Sequence, residues 1–236
     1  MRFTRLFGLR HAAAAAALAS ATLAAGAAPV LVDFSNYGST GVHAVVASGG
    51  FTFTPAAGTI AVAANGTNCL PTCAANGSTA LAVGRVGLNP PSVAPVTMTT
   101  ALYASFRLTG LDYAELSNNF INGWSASSIE VTGMLLGGGT VSQTLSLDGI
   151  NDGPGGGTDF ETAVLAGFWS TSDLVSLQFA GFIGADDNQA FQLDNIALDV
   201  TRVSQLPEPG SLALGGLALA AAWQTRRRAA VARRSN

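Results

Sequence analysis

The sequence predicts an all-β body held between two membrane-directed ends. Three observations carry this reading: short runs of alternating apolar and polar residues spaced by glycine and asparagine over positions 28–205, an apolar alanine-rich leader behind three arginines, and a twelve-residue apolar stretch, 212–223, followed by arginines. The architecture expected is a β-sandwich over 28–205, an N-terminal signal helix over 1–27, and a segment 206–236 that holds a single short transmembrane helix.

The leader comes first. Arg2, Arg5 and Arg10 precede the run 12–25, which closes on Ala25-Gly26-Ala27. A charged start, an apolar middle and a small-residue end are the three parts of a secretory signal peptide, so cleavage is expected after Ala27. The partners this implies are the secretion machinery and a signal peptidase. Export places the body in an oxidising space.

In the body the expected strands are 30–34, 42–47, 51–53, 59–63, 96–108, 129–136, 141–147, 174–179 and 191–200. Val141, Gln143, Leu145 and Leu147 share one parity while Ser142, Thr144, Ser146 and Asp148 share the other, and Val175, Leu177 and Phe179 repeat the pattern. Segments 105–114 and 159–168 are the two places where a short helix fits. A jelly-roll-like sandwich is the arrangement expected of so many short strands. The last strand contains a parity slip, because Phe191 and Leu193 are odd whereas Ile196, Leu198 and Val200 are even. A bulge near Asp194-Asn195 would restore a single buried face.

Charge narrows the chemistry. Eleven arginines and no lysine supply the positive charge of the 236-residue chain, and only His11 and His43 offer imidazole. Lysine nucleophiles, phosphate-loop lysines and multi-histidine metal centres are thereby excluded. Residues 30–205 hold thirteen of the fourteen acids and only Arg85, Arg107 and Arg202, a net −10. Such a body repels a phosphate backbone, so nucleic acid is not an expected partner.

Cys69 and Cys73, the only cysteines, have three residues between them and are expected to form a small-loop disulfide after export. The loop Asp148-Gly149-Ile150-Asn151-Asp152-Gly153 carries close-set carboxylates but lacks the glutamate at position twelve of an EF-hand. It reads as an acidic hairpin.

The tail follows a fixed order: Pro207-Glu208-Pro209, the apolar stretch 212–223, then Arg226, Arg227 and Arg228. The two prolines fix two φ angles and remove two backbone donors, which presents Glu208 on a stiff extended peptide. Twelve helical residues rise about 18 Å against a hydrocarbon core of about 30 Å. Only the whole uncharged segment 209–225 reaches the low end of what spans, and the arginines then hold the C-terminus on the cytoplasmic side.

This tail resembles the PEP-CTERM sorting signal, read by membrane-embedded exosortases. Pro207, Glu208 and Pro209 match its motif, while Gly210-Ser211 and the trailing residues 229–236 depart from the commonest form. The resemblance implies an exosortase-type membrane protease as partner, a transient membrane anchor, and delivery to the cell surface or outside. Separately, Val32-Asp33-Phe34 and Leu193-Asp194-Asn195-Ile196 resemble the meeting strands of carbohydrate-binding-module jelly rolls. That resemblance implies one structural calcium held by Asp33 and Asp194. The competing reading has both aspartates ending strands and accepting bonds from nearby amides.

Two functions follow. One is a non-catalytic envelope or matrix protein, associated with exopolysaccharide if Trp124, Trp169, Tyr37, Tyr103 or Tyr113 offers a stacking face; ordinary burial preferences place such rings in the core. The other is a secreted carbohydrate-active hydrolase that uses a carboxylate pair drawn from Glu115, Glu130, Glu161 and the aspartates. No Gly-x-Ser-x-Gly elbow accompanies His43, so no catalytic residue is assigned.

Overall fold

A computed structural model describes residues 27–37, 41–58, 60–64, 74, 76–83, 95–116, 125–150, 158–184, 189–203 and 223. The chain divides into two units, 1–202 and 203–236. The leader up to residue 26, Cys69, Cys73, Trp124, Pro207, Glu208, Pro209, Arg226, Arg227 and Arg228 lie outside the described residues. Of the second unit, Trp223 is helical and exposed. Among the described residues, no helix is long and apolar enough to cross a membrane.

The first unit is all-β, as expected, with thirteen strands among its described residues: β1 (Ala28–Val32), β2 (Gly41–His43), β3 (Val46–Ser48), β4 (Phe51–Pro55), β5 (Ile60–Ala64), β6 (Thr79–Val83), β7 (Val96–Thr99), β8 (Tyr103–Glu115), β9 (Ser128–Leu135), β10 (Thr140–Ser146), β11 (Glu161–Thr162), β12 (Leu174–Phe182) and β13 (Phe191–Arg202). All pair in one network that runs β2-β5-β6-β13-β8-β12-β7-β4-β3, with β1 on β13, β9 on β12, β10 on β9 and β11 on β8. β8 and β12 meet at the single pair Leu174 and Phe106. The course bends around one main core and is nearly barrel-like.

Four expectations change. The run 42–47 is divided between two strands, β2 on β5 and β3 on β4. The run 96–108 is two strands, because the chain turns at residues 100–102, and β8 then continues to Glu115. The helix considered over 105–114 is therefore strand. Within 159–168 the chain forms the short strand β11 and then an irregular stretch that leads into a turn at 167–171.

β13 is the spine. One edge carries β8 along its length, while the other carries β6 opposite Phe191–Leu193 and β1 opposite Ile196–Val200. The first and last strands thus pair, and the bulge predicted from parity lies between these two partners. Asp194 pairs with Asp112 and Ala197 with Gly110, so Asn195 and Ile196 oppose the single residue Leu111. Asn195 has φ 47°, in the left-handed region that asparagine tolerates better than most residues. Its Nδ2 donates to Asp112 Oδ2 at 2.9 Å and its backbone N–H donates to Asp194 Oδ1 at 2.8 Å. Beyond the bulge Ile196, Leu198 and Val200 are buried.

A valine at this bulge would be strained by that φ. Asn195→Val is expected to lower unfolding free energy by about 1–3 kcal/mol, and Asn195→Gly by clearly less, because glycine adopts the angle freely. Denaturant midpoints of the purified variants check this. Equal losses would show that the lost side-chain bond, rather than the backbone angle, sets the cost.

The main core is rich in aromatic rings, and a second, small cluster joins Ala61 and Ala82. Phe34, Phe51, Phe53, Phe106, Phe179, Phe191 and Trp169 are fully buried. Phe34 meets Phe53 and Phe51 meets Phe106 edge-on, with ring centres 5.3 and 5.2 Å apart. Each such ring contributes roughly 1.5–3 kcal/mol by leaving water, which makes this packing the main source of stability.

Candidate metal centre and sorting tail

The sequence scattered its acids, and strand pairing collects three of them. β11 pairs with the end of β8, with Glu161 opposite Tyr113, which brings Glu161 beside Glu115. Asp148 follows β10, and its backbone N–H donates to Glu161 Oε1 at 2.9 Å. The N–H of Gly149 donates to Glu115 Oε1, also at 2.9 Å, and that of Ile150 to Asp148 Oδ1 at 2.8 Å. One carboxylate oxygen from each of Glu115, Asp148 and Glu161 lies within 4.8 Å of the other two. Sequence reasoning had named all three acids but could not join them; the acidic hairpin at 148 forms one wall of the cluster.

The electrostatics of the cluster are one-sided. Glu115 is 1% exposed, and burial pushes its carboxyl above the ordinary range while Glu161 and Asp148 push the same way. The backbone amides of Glu115 and Gly149 oppose the shift. Glu115 Oε2 has no hydrogen-bond partner. Tyr113 is buried too, and its hydroxyl donates to the Ser146 carbonyl at 2.9 Å. Burial, then Glu161, holds that phenol well above its usual value, so it stays protonated. Gln192, also buried, donates from Nε2 to the main-chain carbonyl of Glu115 at 2.8 Å, and its Oε1 is left without a partner.

Asp33 and Asp194 lie just past the same end of the β1 and β13 pairing, where Val32 meets Ile196, and each has its own bonds. Asp194 Oδ2 accepts from Asn76 Nδ2 at 2.7 Å and from Ser78 Oγ, and its Oδ1 accepts from Asn195. Asp33 Oδ1 accepts from Ser35 Oγ at 2.8 Å, while its main-chain carbonyl accepts from Ser48 Oγ. Burial raises the Asp194 carboxyl, and the bonds from Ser78 and Asn76 hold it down.

Of the remaining sequence candidates, Tyr113 borders the cluster opposite Glu161, and the others described are not among its acids. Glu130 lies on β9, paired with Thr144 and Ala180. His43 is half-buried, its ring centre 5.1 Å from that of Tyr37. Trp169 has no exposed surface and Tyr113 is 6% exposed, so neither ring is a stacking platform; Tyr37 and Tyr103 are half-buried.

Beyond these side chains, residues 205–228 match the family model described as the PEP-CTERM protein-sorting motif. The match covers the Pro-Glu-Pro, the apolar stretch and the arginine run named from the sequence. The motif indicates an exported protein sorted by an exosortase, which is a membrane protein. No curated protein and no solved structure was found to match the chain.

Proposed function

We propose that this chain, which ends in a PEP-CTERM protein-sorting motif, is a non-catalytic envelope or matrix protein whose β body is the cargo. The leader 1–27 takes it across the inner membrane, the segment 209–225 holds it there briefly, and an exosortase-type protease cuts the tail and passes the body to the surface or the medium. The observation that carries the reading is the match over 205–228. A short apolar segment preceded by a stiff acidic peptide suits presentation to a membrane protease better than permanent anchoring. The body's role is then association with exopolysaccharide, with its strands in the jelly-roll-like sandwich expected from the sequence.

The hydrolase reading is the weaker one. Two of its acids, Glu115 and Glu161, do come together, but Glu115 is buried and both accept main-chain N–H bonds. A glycosidase pair has to reach both faces of a sugar ring, which a buried carboxylate does poorly. At Asp33 and Asp194 we favour the hydrogen-bonded reading over the calcium one, because three protein donors already serve Asp194.

Mass spectrometry of the protein's two ends, in its host with and without the sorting protease, tests the reading. The expected product starts near residue 28 and lacks the arginine cluster only where the protease is present. The same C-terminus in both strains would refute it.

A further inference from the structure

We propose that Glu115, Asp148 and Glu161 form a calcium site that ties the end of β8 to the loop after β10 and to β11. The spacing is that of ligands around one ion. Oxygens about 2.3–2.6 Å from a calcium lie at most about 5 Å apart, and these three lie within 4.8 Å of one another. The second, independent observation is the orphaned oxygen. Glu115 is 1% exposed, yet its Oε2 has no hydrogen-bond donor, whereas Oε1 is served by Gly149. Buried carboxylate oxygens are ordinarily satisfied, so a bare oxygen on the buried member of this cluster marks a position for a cation.

The charge around it points the same way. The side chains that act on Glu115 through their charge are Glu161 and Asp148, both negative. Three acids gathered without a cation repel one another, and a divalent ion reverses that balance. The ligands are all carboxylate oxygens, with no sulfur or imidazole in the group, which selects a hard cation. Asp148 stands on an irregular loop, where its Oδ1 turns back to the N–H of Ile150. Calcium accepts such uneven coordination, whereas magnesium demands a near-ideal octahedron. The site therefore acts as a staple between the end of β8, residues 148–150 and β11.

Thermal melting of the purified full chain in chelator, calcium and magnesium tests this, together with calcium titration calorimetry. Calcium at about a hundred times its Kd is expected to raise Tm by about 5–10 °C, with a Kd of about 10⁻⁵ to 10⁻³ M. Glu115→Gln should melt at or above the native chain in chelator, since it removes one repelling charge, and should lose the calcium response. If that variant does not fold, Glu161→Gln and Asp148→Asn carry the test, and each should lose most of the shift. Asp33→Asn should keep it. No shift in the native chain, an equal shift with magnesium, a shift retained in both Glu161→Gln and Asp148→Asn, or a shift abolished by Asp33→Asn would each overturn the assignment.

Discussion

Replacing Pro207, Glu208 and Pro209 together by alanine is expected to leave the exported precursor uncut and membrane-bound. The size of the effect follows from what the tripeptide supplies. A charged hydrogen-bond acceptor at Glu208 is worth about 1.5–3 kcal/mol to a protease that grips it, and each proline saves about 0.4–1 kcal/mol of chain ordering. Summed, about 2–5 kcal/mol of transition-state binding is lost, a fall of about 30-fold to several thousand-fold in kcat/KM. Glu208→Gln isolates the charge, and the paired proline-to-alanine change isolates the stiffness. Pulse-chase labelling in the host, with a blot for precursor and product, reads all three. The leader is untouched in every variant, so export continues, and the precursor should build up in the membrane rather than in the cytosol. Cleavage of the triple variant at the native rate would mean that the protease reads only the helix and the arginines. That result would remove the tripeptide from the recognition scheme and leave Arg226, Arg227 and Arg228 as its chemical content.

How far the fold could be read in advance depended on how cleanly each strand kept its period. β10 was legible because Leu145 and Leu147 face the core while Ser142, Thr144 and Ser146 face water. The bulge in β13 was legible because its slip falls between two well-marked halves. β6 was not, since Thr79, Ala80, Leu81, Ala82 and Val83 are all buried, and a strand covered on both faces shows no alternation. β8 misled for a subtler reason. Phe106 and Leu108 share one parity and Leu111 and Tyr113 the other, because the register shifts again between Ala197 and Leu198. There β8 holds the extra residue, Thr109, so the two irregularities offset each other and the strands regain step. Apolar residues at 108 and 111 then imitate a helical spacing that the ladder does not have.

The acid cluster was illegible for a different reason. β9 and β10 separate Glu115 from Asp148 along the chain, and twelve residues separate Asp148 from Glu161, so nothing local in the sequence couples them; the pairing of β11 with β8 and the bonds from Asp148 N–H to Glu161 and from Gly149 N–H to Glu115 bring them together. The sorting tail lies at the opposite extreme. Its order of prolines, apolar residues and arginines is contiguous, so the sequence alone carries it. Local chemistry is read from a chain directly, and chemistry assembled across a sheet waits for the register.

Trp169→Ala is expected to remove about 3–5 kcal/mol of stability, a large share of the roughly 5–15 kcal/mol that holds a domain folded. Trp169 has no exposed surface, and its indole N–H donates to Gln143 Oε1 at 2.8 Å. Gln143 is the clasp of this region, since Oε1 also accepts from the Ala166 N–H at 2.9 Å and Nε2 donates to the Val164 carbonyl at 2.8 Å. Trp169→Phe keeps most of the apolar contact and loses one hydrogen bond and some volume, so a smaller loss of about 1–2 kcal/mol is expected. The sheet has made room for the indole. A Cβ on Gly133 would come within 2.9 Å of Trp169 Cζ3 and 2.9 Å of Leu174 Cδ2, so Gly133→Ala in the native background should cost about 1–3 kcal/mol by overpacking. In the Trp169→Ala background one of those obstacles is gone and the leucine can turn into the vacated space, so the same glycine change should cost less. Denaturant unfolding followed by circular dichroism closes the cycle without relying on the tryptophan signal. Additive costs would mean that the cavity collapses after Trp169→Ala, and that β9 follows the indole rather than holding a preformed slot for it.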